Sequence, residues 1–236
     1  SVPECFLSSH RAYHEFLRGD AVTSVSLREK ELFYHFRPFI RAGEDYILLQ
    51  DMIARGVDVT SQEVLDREIA AAGHDTMENY GRLFYRAREE VLREDRDFWL
   101  DLNPLFPGMP EILRRVSDNP RFYILSTKKP EFIREILSHH RISWDIERIL
   151  FPGRRTKLQI IEGVLPRGEA CEALFVDDQL DHLLTARKDP RIRPYLASWG
   201  YIKPEWLRQN VVPAVERKDL VKLTEGFTFL PGSRPL

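Results

Sequence analysis

Two neighbouring carboxylates follow an apolar run in the second half of the chain. The stretch Ala173-Leu-Phe-Val176 leads directly into Asp177 and Asp178. Two ionised carboxylates side by side repel one another, and a bound divalent cation is the usual means of offsetting that repulsion. Oxygen ligands with no cysteine nearby favour magnesium over zinc. The pattern therefore makes Asp177 and Asp178 candidate ligands of a magnesium ion.

Two more polar stretches follow short apolar runs earlier in the chain. Ser126-Thr-Lys-Lys129 comes directly after Tyr123-Ile-Leu125, and Arg154-Arg-Thr-Lys157 comes shortly after Ile149-Leu-Phe151. If these apolar runs are neighbouring parallel strands, the polar stretches meet at one rim of the sheet. That rim, beyond the carboxyl ends of the strands, is where open α/β sheets bind their ligands.

Each of these polar residues also has a purely structural interpretation. Ser126 or Thr127 can cap the helix that follows. Lys157 can lie on a solvated helix face, as most lysines do. Asp178 can be the N-cap of a helix that begins at Gln179, where the helix dipole favours a negative charge.

The second half of the chain alternates between apolar runs and helical patterns. Alternation of this kind indicates right-handed crossovers and a mostly parallel sheet. Buried parallel strands read as continuous apolar runs, and these runs do so. The pattern predicts strands at 122–126, 148–151, 173–176 and 195–198, and helices at 111–116, 131–138, 157–164 and 179–186.

The first half of the chain, up to about residue 102, has the periodicity of helices and no convincing strand. Thr60 and Glu63 have the spacing of a capping box that opens one of the helices. The segment Asn103–Pro110 contains three prolines and a glycine, so it cannot continue a helix and is the predicted domain boundary. Helices are predicted at 9–16, 27–41, 42–55 and 76–97.

Composition limits the classes of function. The net charge of −2 argues against an obligate nucleic-acid binder, which usually carries a basic surplus. Cys5 and Cys171 are too few for a disulfide scaffold or a zinc site, and we interpret them as reduced thiols of a cytoplasmic protein. No apolar run approaches the roughly 20 residues that span a bilayer. Neither a G-x-G-x-x-G motif nor a Walker A loop is present.

The order and spacing of the polar strand ends resemble those of the haloacid dehalogenase (HAD) superfamily of phosphohydrolases. The resemblance covers about residues 1–220 and is carried by Y-I-L-S-T-K-K-P, R-R-T-K-L-Q-I-I and L-F-V-D-D. The phrase L-F-P-G-M-P-E-I-L is similar to the segment that leads into the core in the phosphoglycolate-phosphatase-like branch. The resemblance implies an α/β fold, with a Rossmann-like parallel sheet and an inserted all-helical cap domain. The implied domains are the start of the core at 1–10, the cap at 11–102, the HAD-like core at 103–225 and a C-terminal extension at 226–236.

The resemblance also implies a function and a role for each site residue. Family members use magnesium and an aspartate that attacks the phosphorus of a phosphate ester. Ser126 and Thr127 would then bind the phosphoryl group, and Lys157 would neutralise it together with the nucleophile; Lys128 and Arg155 are alternatives for that role. Asp178, alone or with Asp177, would anchor the metal. The expected substrate is a small phosphorylated metabolite, and the expected state is a monomer or homodimer.

The sequence departs from the family pattern in one central respect. No D-x-D motif follows an apolar run, as the nucleophile motif does at the end of the family's first strand, and S-V-P-E-C-F resembles the residues that directly follow that motif. We expect the nucleophile upstream of Ser1, on a strand at the centre of the sheet. The alternatives are a pseudoenzyme, or a different segment such as 226–230 in place of that strand. In addition, His182 stands where many relatives have another aspartate.

Three other functions compete with phosphate ester hydrolysis. A catalytically inactive binding or interaction protein on the same scaffold is the main alternative. Phosphotransfer to a second hydroxyl, as in the mutase branch, is another. A receiver domain also uses an acidic pair with magnesium, but its phosphorylated aspartate ends a later strand. No aspartate follows an apolar strand after Asp178, which argues against that class.

Overall fold

A computed structural model of the protein describes residues 2–20, 25–153, 155–166 and 172–228. Arg154, Cys171 and residues 229–236 of the predicted extension lie outside these ranges. The chain divides into two compact units, Ser1–Pro104 and Leu105–Leu236.

The first unit is helical throughout its described residues, as its sequence predicts. Apolar residues at helical spacing form its core, which includes Phe33, Leu49 and Trp99. No helix in the described ranges is long and apolar enough to cross a membrane. The elements are α1 (Val2–Arg11), a π-helical segment (Ala12–Arg18), α2 (Leu27–Phe36), α3 (Asp45–Ala54), α4 (Gln62–Ala72), α5 (His74–Glu94) and α6 (Arg96–Asp101).

Two local predictions for this unit are wrong. The capping box at Thr60 does not form, because α4 begins one residue later and its N-cap is Ser61. The single helix predicted at 76–97 is two helices. Asp95 separates them, since its side chain accepts a hydrogen bond from the Phe98 N–H and so caps α6.

A buried ion pair joins α1 to α5. Arg88 Nε and Nη2 donate to the two carboxylate oxygens of Glu4, at 2.7 and 2.9 Å, and Ser8 Oγ donates to Glu4 Oε1 at 2.8 Å. Burial alone would lower the pKa of Arg88, but the charge of Glu4 raises it above its usual range. Residues 2–10, expected at the start of the core, lie in α1, which belongs to the helical unit.

The second unit alternates helices with short parallel strands, so the predicted α/β class is confirmed. Apolar faces of α9 and α10 pack with β3 and β4 around Phe175, Leu183 and Leu196. The elements are α7 (Met109–Val116), β1 (Ile124–Leu125), α8 (Pro130–His139), β2 (Ile149–Leu150), α9 (Lys157–Val164), β3 (Ala173–Asp177), α10 (Leu180–Ala186), β4 (Ile192–Ala197), α11 (Pro204–Gln209), β5 (Ala214–Val215) and α12 (Arg217–Thr228).

The strands form two open sheets. One sheet is β1–β2 and the other is β3–β4–β5, so within the described ranges only β4 has a strand partner on both sides, and β1, β2, β3 and β5 are edge strands. Leu125 of β1 packs against the core cluster that contains Phe175 of β3. An edge strand presents unpaired backbone N–H and C=O groups to which a further strand can pair. The free edges of β1 and β3 are therefore positions at which another strand can add.

The strand boundaries differ from the predicted ones in ways that the packing explains. The strand predicted at 195–198 begins earlier, at Ile192, and contains Pro194. Proline is tolerated there because β5 pairs only with Leu196 and Ala197, so no ladder bond to β5 is required at 194. The strands predicted at 122–126 and 148–151 shorten to two residues each.

The C-terminal part of this unit contains elements that the sequence did not indicate. β5, α11 and α12 were not predicted. Residues 226–228 form the end of α12, so this part of the segment proposed to replace the missing strand is helical.

We expect Glu4→Gln to destabilise the first unit by about 3–5 kcal/mol, because it leaves the buried Arg88 cation without this counter-charge. Urea unfolding followed by circular dichroism measures the change. Glu94→Gln is the matched control, since Glu94 pairs with Arg11 at a largely exposed position and its loss has a small effect. Equal unfolding midpoints for the two variants would show that the buried pair of Glu4 and Arg88 is no more stabilising than an exposed one.

Candidate functional site

A low-exposure ion pair links the start of α9 to the end of β3. Lys157 is the first residue of α9, whose N-terminus is fixed by a capping box between Thr156 and Gln159. Its Nζ donates to Asp177 Oδ2 at 2.6 Å, and the two side chains are 10% and 7% exposed. The interpretation of Lys157 as a lysine on a solvated face is therefore wrong.

The remaining polar contacts of Asp177 engage both of its carboxylate oxygens. Oδ2 also lies 3.2 Å from His182 Nδ1, and Oδ1 accepts a hydrogen bond from the Gln179 N–H at 3.0 Å. Burial alone would raise the pKa of Asp177, but the charge of Lys157 and the hydrogen bond with His182 lower it below its usual range. Asp177 is thus held as a carboxylate that fixes Lys157.

Asp178 is held by the backbone of the loop that follows β4. Its Oδ2 accepts a hydrogen bond from the Tyr201 N–H at 2.9 Å. A Cβ atom on Gly200 would lie 2.2 Å from Asp178 Cβ, so only glycine fits beside this carboxylate. Asp178 is not the N-cap of α10, which is Gln179. Among the described residues, Asp178 Oδ1 accepts no hydrogen bond.

Ser126 lies at the carboxyl end of β1, as predicted, but its hydroxyl oxygen bonds to a backbone N–H two residues away. Its N–H donates to Leu150 O at 3.1 Å, which continues the parallel pairing of β1 with β2. Its Oγ accepts a hydrogen bond from the Lys128 N–H at 3.1 Å. Neither Ser126 nor Thr127 caps α8, whose N-cap is Lys129. Within the described ranges no hydrogen bond joins Ser126 to Lys157 or the aspartates.

The structure thus brings three of the predicted site residues to the carboxyl edge of β3, namely Lys157, Asp177 and Asp178. Sequence reasoning did not identify Gly200, which abuts Asp178, or Gln179, whose side chain is buried next to the pair. No motif marks either residue, because the role of each depends on a neighbour brought close by the fold.

The described residues offer few candidate ligands for a magnesium ion. No group of three or more His, Cys, Asp or Glu side chains that could hold a metal lies among them. Asp178 offers one carboxylate oxygen, whereas the oxygens of Asp177 are already engaged. Further oxygen ligands, from protein or water, would be required to complete the coordination of magnesium.

Comparison of the chain with protein-family models, with curated proteins and with solved structures finds no match in any of the three.

We expect Asp177→Asn to destabilise the second unit by about 3–5 kcal/mol, because it leaves Lys157 charged at a site that is only 10% exposed. Chemical denaturation measures the loss. Asp219→Asn is the control, since its partner Lys222 is largely exposed and the midpoint should hardly change. A wild-type midpoint for Asp177→Asn would show that the ion pair contributes nothing.

We expect Gly200→Ala to destabilise the protein by about 1–3 kcal/mol, because the added methyl group overlaps Asp178 and forces the loop away. Amide exchange at Tyr201 should accelerate as its bond to Asp178 is lost. Gly163→Ala is the matched control: no atom lies within 4 Å of the added carbon, and the change in α9 should be neutral or stabilising. Slow exchange at Tyr201 in Gly200→Ala would contradict the contact.

Proposed function

We propose that the protein is a cytoplasmic, magnesium-dependent phosphohydrolase of the HAD type that acts on a small phosphate monoester. The observation that carries the proposal is the Lys157–Asp177 ion pair at the carboxyl edge of a parallel strand. Beside it, Asp178 is fixed by the backbone and keeps one carboxylate oxygen unpaired among the described residues. A lysine and a carboxylate held at such an edge are suited to a phosphoryl group and a cation.

Lys157 is the residue that offsets charge on the phosphoryl group in this proposal. An ammonium group has three donors, and Asp177 accepts from one of them. The other two are available to phosphoryl oxygens, whose negative charge grows during the reaction. Because Asp177 fixes Lys157, the cation needs little reorganisation when the ester binds.

Ser126 and Thr127 are proposed to bind the phosphoryl oxygens from the end of β1. The Ser126 hydroxyl accepts the Lys128 N–H, so its own O–H remains a donor. With donors from β1 and a cation from α9, the ester would be bound from two elements of the second unit.

The nucleophile is proposed to be an aspartate on a strand that precedes Ser1. The unpaired edges of β1 and β3 support a further parallel strand in this unit. The carboxyl end of a parallel strand added there lies at the same rim as Lys157 and Asp178. Its carboxylate would bond to phosphorus as the ester oxygen leaves, and water would then release inorganic phosphate. On this proposal the second unit is the HAD-like core and the helical unit is the cap.

A catalytically inactive binding protein is the second candidate function. It is favoured by one observation, that no D-x-D motif follows an apolar run in the sequence. It predicts phosphate binding without turnover.

We expect the chain, expressed together with its upstream segment, to hydrolyse an aryl phosphate in the presence of magnesium. Asp178→Asn should lower kcat by about 10²-fold or more, because it removes a charged oxygen from the site. Asp219→Asn, a surface substitution, should leave kcat unchanged. Absence of turnover with the upstream segment present would exclude the phosphohydrolase and leave the binding protein.

A further inference from the structure

The Gln179 side chain is buried and has no hydrogen-bond partner among the described residues. It is 3% exposed, and neither Nε2 nor Oε1 is within bonding distance of a polar atom. By contrast, both of its backbone polar groups are hydrogen-bonded, since the N–H donates to Asp177 Oδ1 and the carbonyl accepts from the His182 N–H. The residue is therefore firmly held while its carboxamide is unpaired.

An unpaired buried carboxamide destabilises a folded protein, because both polar atoms lose their hydrogen bonds to water. Buried polar groups in native proteins nearly always have partners, and an exception requires an explanation. A methionine or leucine would fill the same space without that penalty. The position of Gln179 suggests that a ligand of the neighbouring site supplies the missing partners.

Gln179 directly follows the two aspartates of the candidate site. Asp178, its immediate neighbour, has an unpaired Oδ1 within the described part of the chain. A donor and two acceptors therefore lie without partners on two consecutive residues, at the rim to which Asp177 fixes Lys157. This combination fits a ligand that both accepts and donates hydrogen bonds.

We propose that Gln179 is a further phosphoryl-binding residue, and that its carboxamide selects a phosphoryl group carrying a proton. Nε2 donates to a phosphoryl oxygen, and Oε1 accepts from a P–OH group on the same phosphorus. Sulfate, which has no proton at neutral pH, satisfies Nε2 only. These contacts require the side chain to turn from its buried rotamer towards Asp178. The inference rests on the proposed phosphoryl site, but it requires no hydrolysis.

The test compares Gln179→Met with the wild-type chain by calorimetric titration of inorganic phosphate and of sulfate at pH 6. At this pH inorganic phosphate carries one or two protons, so a P–OH group is present, whereas sulfate carries none. The wild type should bind phosphate more tightly than sulfate. Gln179→Met should lower phosphate affinity about tenfold, by the loss of hydrogen bonds to a charged group, and should abolish the preference over sulfate.

Unfolding of the ligand-free variants by urea provides an independent readout. Gln179→Met should raise the unfolding midpoint, because the substitution removes two unpaired polar atoms from the interior. Gln209→Met is the matched control: it makes the same chemical change at the exposed end of α11 and should alter neither affinity nor midpoint. Gln179→Leu repeats the test with a different shape, in case methionine packs poorly.

Unaltered phosphate affinity in both Gln179 variants, or equal binding of phosphate and sulfate by the wild type, would overturn the inference. A lower unfolding midpoint in both variants would also overturn the inference, since it would mean that the carboxamide of Gln179 is already paired. Selective phosphate binding through Gln179 in a chain that hydrolyses no ester would leave the inference standing and remove the proposed hydrolysis.

Discussion

The ion pair between Lys157 and Asp177 is the interaction on which the candidate site depends. It joins the first residue of α9 to the last residue of β3, and both side chains are largely withdrawn from water. A charge pair at such low exposure is costly to separate, since either partner alone would remain buried and unpaired. His182 and the Gln179 N–H reinforce the pair from α10 and the turn before it. Two helices and a strand are thereby fixed around one carboxylate.

The two neighbouring carboxylates therefore have different roles. Asp177 has both oxygens engaged, Oδ2 with Lys157 and Oδ1 with the Gln179 N–H. Asp178 is held through one oxygen by the Tyr201 N–H. Because Gly200 has no side chain, the loop after β4 can lie directly against Asp178. The two carboxylates, both candidate metal ligands from the sequence, are therefore asymmetric, and Asp178 is the better candidate for binding a ligand. Two acidic residues in sequence thus act as one anchor and one available carboxylate.

The sequence predicted those features that depend on local chemistry. The bounds of α9 at 157–164 were predicted correctly, because Thr156 and Gln159 form a capping box and an apolar face follows. Other features depend on distant partners. Lys157 has the same local pattern as an exposed lysine, and only the position of β3, 20 residues later, makes it a buried cation. No motif around Gly200 marks its role. Glycine is needed there because a side chain at position 200 would overlap the Cβ of Asp178. The start of β4 was not predicted because it lies before Pro194. Proline is compatible with a strand only where its missing backbone N–H is not needed to pair with a neighbouring strand.

The most direct test of the account is to determine the N-terminal sequence and intact mass of the native protein. The proposed function places one more parallel strand, ending in a carboxylate, beside the free edges of β1 and β3. The account predicts a native chain that extends upstream of Ser1 and contains an apolar run of about five or six residues followed by Asp-x-Asp. A native chain that starts at Ser1, or an upstream segment without that carboxylate, would contradict it.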